Sequence, residues 1–172
     1  LIWSMKTLLM RTPTLQRRAV YQGLMFGAFC VFWTIAPLML VHSSFHFTQK
    51  GVAVFALAGL AGAIVAPFAG RLADRGLSRQ ATITAFSVGI ASFILSHYIE
   101  EGSMWSLVVL EIAANLLDAG VSAHLVLGQR AIFMIDPEKQ SRLNGLYIGI
   151  LYVGGAVGSA LGAWAYLNHG WG

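Results

Sequence analysis

Five stretches of apolar residues, each long enough to cross a lipid bilayer, dominate this 172-residue chain. A helix that rises 1.5 Å per residue needs about 20 residues to cross roughly 30 Å of hydrocarbon. Only short connections separate the stretches, which leaves no room for a soluble domain between them. The sequence therefore predicts an all-α fold, a polytopic membrane bundle of about five transmembrane helices, with spans at about 19–41, 51–69, 81–98, 104–132 and 143–167.

The composition supports a membrane protein and argues against two other classes. Charged residues make up 10% of the chain, whereas a soluble domain carries about 25%. The net charge of +4 does not indicate a nucleic-acid partner, because the basic residues are concentrated in the connections between spans. Cys30 is the only cysteine and lies inside an apolar stretch, so an internal disulfide is excluded and no metal site is predicted.

The basic residues also predict how the chain is oriented in the membrane. If the five spans alternate in direction, every lysine and arginine except Lys50 falls on the same side as residues 1–18. Connections rich in lysine and arginine stay on the cytoplasmic side of a membrane. We therefore expect a cytoplasmic N-terminal end, a cytoplasmic segment at 1–18 and a last span that ends outside.

The connection between the second and third spans carries a distinctive charged pattern, Gly70-Arg71-Leu72-Ala73-Asp74-Arg75-Gly76-Leu77-Ser78-Arg79. It resembles the motif that joins the second and third helices of each six-helix half in the major facilitator superfamily. Leu77 stands where that pattern usually has glycine, and Gly76 comes one place early. The residues that match are Gly70, Leu72, Ala73, Asp74 and Arg75, with Arg79 as the late basic residue.

Two absences make the chain similar to the C-terminal half of such a transporter. The fourth span lacks the arginine-then-glycine signature of helix 4, and the fifth span lacks the proline of the antiporter motif in helix 5. The resemblance places the spans as helices 7 to 11 of a partial fold of this superfamily, with residues 1–18 as the end of the linker between the halves. It also implies that the N-terminal half and the last helix are missing, as in the product of an interrupted gene.

The resemblance implies a function as well as a fold. The chain is most similar to bacterial drug or sugar efflux proton antiporters, which implies proton-coupled efflux of a small molecule by alternating access across the bacterial inner membrane. The implied partners are a small-molecule substrate, protons, the lipid bilayer and the missing N-terminal half. No cofactor is expected, because the sequence has no phosphate-binding loop, thiol metal spacing or hydride-cofactor pattern.

Asp74 is the acidic member of the loop motif and adds nothing to the positive charge of its side. A carboxylate is suited to the positive N-terminal end of a neighbouring helix. The resemblance implies that Asp74 holds the cytoplasmic face closed by pairing with a helix end in the missing half. Arg75 and Arg79 are suited to lipid phosphates or acidic partners, and the alternative is that they only orient the loop.

The fourth span contains a polar stripe. Glu111, Asn115, Asp118 and Ser122 follow one another at steps of four, three and four, which places them on one helical face. A carboxylate near mid-span costs about 2.5 to 3.5 kcal/mol to insert, so Asp118 should face a cavity or a partner. A carboxyl group removed from water favours its protonated form. We interpret Asp118, Glu111 and Asn115 as transport or proton-coupling residues; the alternative is that helix contacts satisfy them.

Small residues recur at every fourth position in two spans, which lets helix backbones approach closely in lipid. Packing within one bundle is the favoured interpretation, and homodimerisation through such a face is the alternative. The residues are Gly62, Ala66 and Gly70 in the second span and Gly154, Gly158 and Gly162 in the fifth.

Two other functions are alternatives to transport. An intramembrane enzyme needs a nucleophile and a base that meet at depth. Ser159 and His169 are ten residues apart on one span and cannot meet there, so we predict no catalytic residues. The second alternative is a non-transporting membrane assembly module.

Overall fold

The computed structural model describes residues 2–42, 47–58, 60–98 and 103–170. Within these ranges the chain is helical, which confirms the predicted all-α class. A short 3₁₀ turn at Pro137–Lys139 leads into the last helix. The helices are α1 (Ile2–Arg11), α2 (Pro13–His42), α3 (Gln49–Ala58), α4 (Ala61–Asp74), α5 (Ser78–His97), α6 (Met104–Phe133) and α7 (Gln140–His169).

Five segments of the described chain are long and apolar enough to cross a membrane, as the sequence predicts. They run longer than the predicted spans, because a helix continues past the hydrocarbon into the polar interface. The bounds of the spans within the bilayer stay predictions. The segments are Pro13–Val41, Gln49–Asp74, Ser78–His97, Met104–Phe133 and Pro137–His169.

The second span is divided between two helices. α3 ends at Ala58 and α4 begins at Ala61, with Leu60 as its N-cap residue and residue 59 outside the described ranges. The sequence predicts one uninterrupted span at about 51–69. The division places the first turn of α4, whose N–H groups are available to partners outside the regular helix, partway along the span.

Glycines lie at the contact between α2 and α7, which is the most extensive one among the described helices. The space that a Cβ would need at Gly154 and Gly158 is filled by the backbone of Gly23 and Gly27 on α2. In the other direction, a Cβ on Gly27 would lie 2.9 Å from the carbonyl oxygen of Gly154. The faces of Gly154 and Gly158 are therefore used for packing within the bundle, as the favoured interpretation holds.

The buried side chains form two clusters. The larger joins α2, α3 and α6 through residues such as Phe32, Phe55 and Leu117, and half-buried aromatic rings pack around it. The smaller cluster joins α2, α6 and α7 around Tyr147, which is fully buried. Large apolar side chains such as Leu24 are exposed on the outside of the bundle, where a lipid-facing surface is expected to carry them.

Ten of the eleven basic residues lie at one end of the bundle, which we call the basic end. Contacts between the end of α4 and the end of α6, and between the starts of α2 and α5, place these helix ends on the same side of the bundle. Lys50 lies at the start of α3, at the opposite end. The basic end contains Lys6, Arg11, Arg17, Arg18, Arg71, Arg75, Arg79, Arg130, Lys139 and Arg142.

Candidate functional site

The charged loop forms a tight turn that ends α4 and starts α5. The N–H of Leu77 donates to the carbonyl of Leu72, and the N–H of Gly76 donates to the carbonyl of Ala73, both at 3.0 Å. These two bonds make a Schellman motif, in which the residue after the helix takes a left-handed conformation. Gly76 has a φ of 75° and occupies that position. The turn therefore needs glycine at Gly76, which explains why the glycine stands one place earlier than in the family pattern.

Asp74 is the last residue of α4 and forms an ion pair with Arg130, in the last turn of α6. The Arg130 side chain crosses the face of Gly70, where a Cβ would lie 3.2 Å from the guanidinium nitrogen Nη2. Gly70 is buried and leaves the space through which Arg130 reaches Asp74. The loop motif thus ties α4 to α6 at the basic end.

Arg130 is a partner for Asp74 that differs from the one implied by the sequence resemblance. Asp74 lies at the negative C-terminal end of α4, and a cation nearby offsets that unfavourable position. The pairing with a helix end in another half of a transporter stays a prediction.

The other residues of the loop motif have separate surroundings. Leu72 and Leu77 line one side of an apolar groove of about 430 Å³ between α4, α5 and α6. Arg75 is exposed. Arg79, in the first turn of α5, lines a different cavity together with residues of α2.

The polar stripe on α6 begins with a pair of side chains that contact each other directly. Asn115 donates from Nδ2 to the Glu111 carboxylate oxygen Oε1 at 2.8 Å and to the Glu111 carbonyl oxygen at 2.9 Å. Both residues are partly buried. The amide of Asn115 therefore holds the carboxylate of Glu111 against its own helix.

Asp118 faces the beginning of α4. The backbone N–H of Gly62, in the first turn of α4, faces the Asp118 side chain. A Cβ on Gly62 would lie 3.1 Å from the Asp118 carbonyl oxygen and would overlap the Ser122 hydroxyl. Asp118 is partly buried by this contact. The structure thus gives the mid-span carboxylate a partner, the N-terminal end of a half-length helix, whose positive dipole favours a negative charge.

A second polar contact lies deeper in the bundle, between α2 and α6. The ring nitrogen Nδ1 of His124 lies 2.5 Å from the Gln22 side-chain oxygen, and both side chains are fully buried. The ring of Phe86 packs edge-on against the His124 ring, with 4.9 Å between the ring centroids. His124 is therefore a hydrogen-bonded packing residue on a different face of α6 from the polar stripe.

The described residues offer no arrangement for metal binding, since no group of three or more histidine, cysteine or acidic side chains comes together among them. Ser159, the serine considered for an intramembrane enzyme, shares a hydrogen bond of 2.8 Å with Thr34 on α2. That hydroxyl therefore contributes to the contact between α2 and α7.

Sequence reasoning identified the polar stripe and the loop motif but missed two partners. The sequence indicates Arg130 only as one of the basic residues at the cytoplasmic side, although its place in the last turn of α6 allows it to pair with the end of another helix. Gln22 carried a usable signal, because a glutamine inside an apolar span needs a hydrogen-bond partner.

Comparison with known proteins adds independent information. A family model described as Major Facilitator Superfamily matches residues 19–172. A Streptomyces coelicolor protein named "Probable transporter SCO4007" is 31% identical over 166 residues, which cover 96% of this chain and 37% of that protein. An Escherichia coli O157:H7 protein named "Uncharacterized transporter YgaY" is 30% identical over 171 residues, which cover 99% of this chain and 42% of that protein. The chain therefore spans less than half the length of these relatives. No solved structure matches it.

Proposed function

The chain belongs to the major facilitator superfamily, and from that premise we propose that it forms part of a transporter that exports a small molecule in exchange for protons. The family and the names of its relatives point to transport rather than to an enzyme. Alternating access requires two helical bodies that move against each other around a site near the middle of the membrane. The helices described here supply one body, and further helices supply the other.

The observation that carries the proposal is the position of Asp118. It lies midway along α6, partly buried, with the N–H of Gly62 directed at its carboxylate. Helix ends inside a membrane commonly hold the ions and substrates that transporters carry. When a proton binds Asp118, its carboxylate loses its negative charge and with it the attraction to the positive N-terminal end of α4. Protonation therefore weakens the contact between α4 and α6, which couples proton binding to helix movement.

The pair of Asp74 and Arg130 has a conformational role in this proposal. It joins α4 to α6 at the basic end, the same two helices that meet at Asp118. A change at mid-span is thereby transmitted to the surface. The charge distribution supports placing the basic end in the cytoplasm of a bacterium, and the protein in the inner membrane.

Transport is tested in everted membrane vesicles with acridine orange, a dye whose fluorescence reports the proton gradient. The vesicles contain either this chain alone or a chimera in which it replaces the matched segment of the Escherichia coli relative. A panel of cationic dyes, fluoroquinolones and sugars is added to energised vesicles. We expect at least one compound to release protons and restore fluorescence, and Asp118→Asn to reduce the initial rate about tenfold or more, as for a lost proton-transfer group.

Asp136→Asn is the matched control, since it removes a carboxylate in the connection between α6 and α7, away from the stripe. It should leave the rate unchanged. Equal rates for Asp118→Asn and the unmodified chain, at equal amounts in the membrane, would overturn proton coupling through Asp118. Absence of compound-dependent proton movement from both correctly inserted preparations would contradict the transport proposal.

A further inference from the structure

Three arginines converge on one cavity at the basic end, between the starts of α2 and α5. The cavity has a volume of about 410 Å³. Arg17 and Arg18 line it from α2, and Arg79 lines it from the first turn of α5. The hydroxyl-bearing side chains Thr14, Tyr21 and Thr82 complete a polar lining, and Ile83 adds an apolar wall.

The positive charge of this cavity is not neutralised within the described part of the chain. The ion pairs there join Arg130 to Asp74 and Lys139 to Asp136, and neither involves an arginine of the cavity. Arg18 donates from Nη1 to the Thr82 hydroxyl at 2.8 Å, which fixes its position across the cavity. Thr82 in turn donates to the Ser78 carbonyl at 2.7 Å.

Two helix starts add to the positive potential. α2 begins at Pro13 and α5 at Ser78, so both helices direct the positive ends of their dipoles toward this end of the bundle. Guanidinium groups match the oxygens of a phosphate group in charge and in geometry. Basic pockets between transmembrane helices bind the headgroups of anionic lipids.

We propose that this cavity binds the phosphate group of an anionic phospholipid at the membrane surface. The surroundings favour a lipid over free phosphate as the source of that group. Leu24 follows Arg17 by two turns on α2, and Ile90 follows Ile83 by two turns on α5; both side chains are exposed, and acyl chains can lie against them. The proposal depends on the chain spanning a bilayer and does not depend on which molecule it transports.

The proposal is tested by native mass spectrometry of the purified chain in detergent, with phosphatidylglycerol or phosphatidylcholine added in equal amounts. We expect preferential retention of phosphatidylglycerol. The double substitution Arg17→Gln and Arg79→Gln should weaken that binding about thirtyfold, from the attraction that each surface arginine contributes toward an anionic lipid.

Arg11→Gln with Arg142→Gln is the matched control, because it removes the same charge from exposed residues of the same end that do not line the cavity. It should change the binding less than about threefold, since dispersed surface charges contribute little. Arg17→Lys with Arg79→Lys keeps the charge but loses the paired donors, and should give an intermediate affinity. This variant also keeps the test decisive if the glutamine variant does not fold.

Adding inorganic phosphate to the same samples distinguishes a lipid headgroup from free phosphate as the source of the bound phosphate group. Retained phosphatidylglycerol that millimolar phosphate does not displace supports a lipid site. Cavity-dependent binding of inorganic phosphate without retention of lipid overturns the lipid assignment. Equal retention of both lipids, or equal losses in the glutamine variant and the control, overturns the site itself.

Discussion

Asp74 and Arg130, which are 56 positions apart in the chain, form an ion pair that joins the end of α4 to the end of α6. The two side chains are 58% and 46% exposed, so water screens most of their attraction. An exposed pair of this kind contributes about 0.2 to 1 kcal/mol. A weak contact at this place is consistent with the proposed role, in which the pair opens and closes as a transporter changes state.

The first prediction concerns the strength of that pair. In a double-mutant cycle with Asp74→Asn and Arg130→Gln, we expect a coupling energy of about 1 kcal/mol or less. The free energy of unfolding of the purified chain in mixed micelles is the measurement. A coupling above about 2 kcal/mol would show that the pair holds the fold together, and would argue against an easily opened contact.

The second prediction concerns the packing of α2 against α7. Gly158→Ala places a methyl group against the backbone of Gly27, which cannot rotate away as a side chain can. We expect the substitution to lower the free energy of unfolding by about 1 to 3 kcal/mol. Gly149→Ala, on the same helix, meets nothing within 4 Å and should be neutral or stabilising by up to about 1 kcal/mol. Equal effects from the two substitutions would contradict the close contact.

The sequence predicted the features of single segments well and the contacts between segments poorly. Bilayer-length apolar stretches predicted the number of spans, and the spacing of Gly154 and Gly158 indicated a packing face, because both properties are local to one segment. The partner of each face depends on which helices become neighbours. The contact of Gly62 with Asp118 and the pairing of Gln22 with His124 arise in that way, between residues 56 and 102 positions apart.

In the loop motif too, the sequence predicted the location of the turn but not its hydrogen bonds. The resemblance identified Asp74 and the connection between two spans, but it did not explain the shifted glycine. The hydrogen bonds of the turn do, because they place the left-handed residue at Gly76.

The third prediction tests that turn. Gly76→Ala forces a residue with a Cβ into the left-handed region, which costs about 1 to 2 kcal/mol. We expect the midpoint of thermal unfolding to fall accordingly. Gly145→Ala serves as the control, because that glycine is in a helix with open space beside it. An unchanged midpoint for Gly76→Ala would mean that the turn takes another conformation.

The fourth prediction concerns pH. The pKa of Asp136 is lowered from its ordinary value of 3.8, first by the hydrogen bond from the Lys139 side chain. Its carboxylate also accepts the Glu138 N–H at 3.1 Å. A carboxyl with a depressed pKa in the folded state stabilises that state at a pH above its unfolded pKa, and the stabilisation is lost as the pH falls through the folded value.

The unfolding midpoint of the chain should therefore exceed that of Asp136→Asn by a constant amount from about pH 5.5 to 8, and the difference should shrink below about pH 4. Lys139→Gln should reduce the difference at neutral pH. A difference that grows as the pH falls would contradict the direction of the pKa shift.

The fifth prediction concerns the buried pair of Gln22 and His124. Gln22→Leu removes the oxygen that lies 2.5 Å from the His124 ring and leaves a fully buried polar group without that partner. Removing one member of a buried hydrogen bond costs about 1 to 3 kcal/mol, whereas replacing both members with apolar groups is nearly neutral. We therefore expect Gln22→Leu to destabilise the chain and the added substitution His124→Leu to restore much of the loss. Thermal unfolding of the two variants in one detergent provides the comparison. If the double variant is less stable than Gln22→Leu alone, His124 stabilises the bundle through contacts other than this hydrogen bond, such as its packing against Phe86.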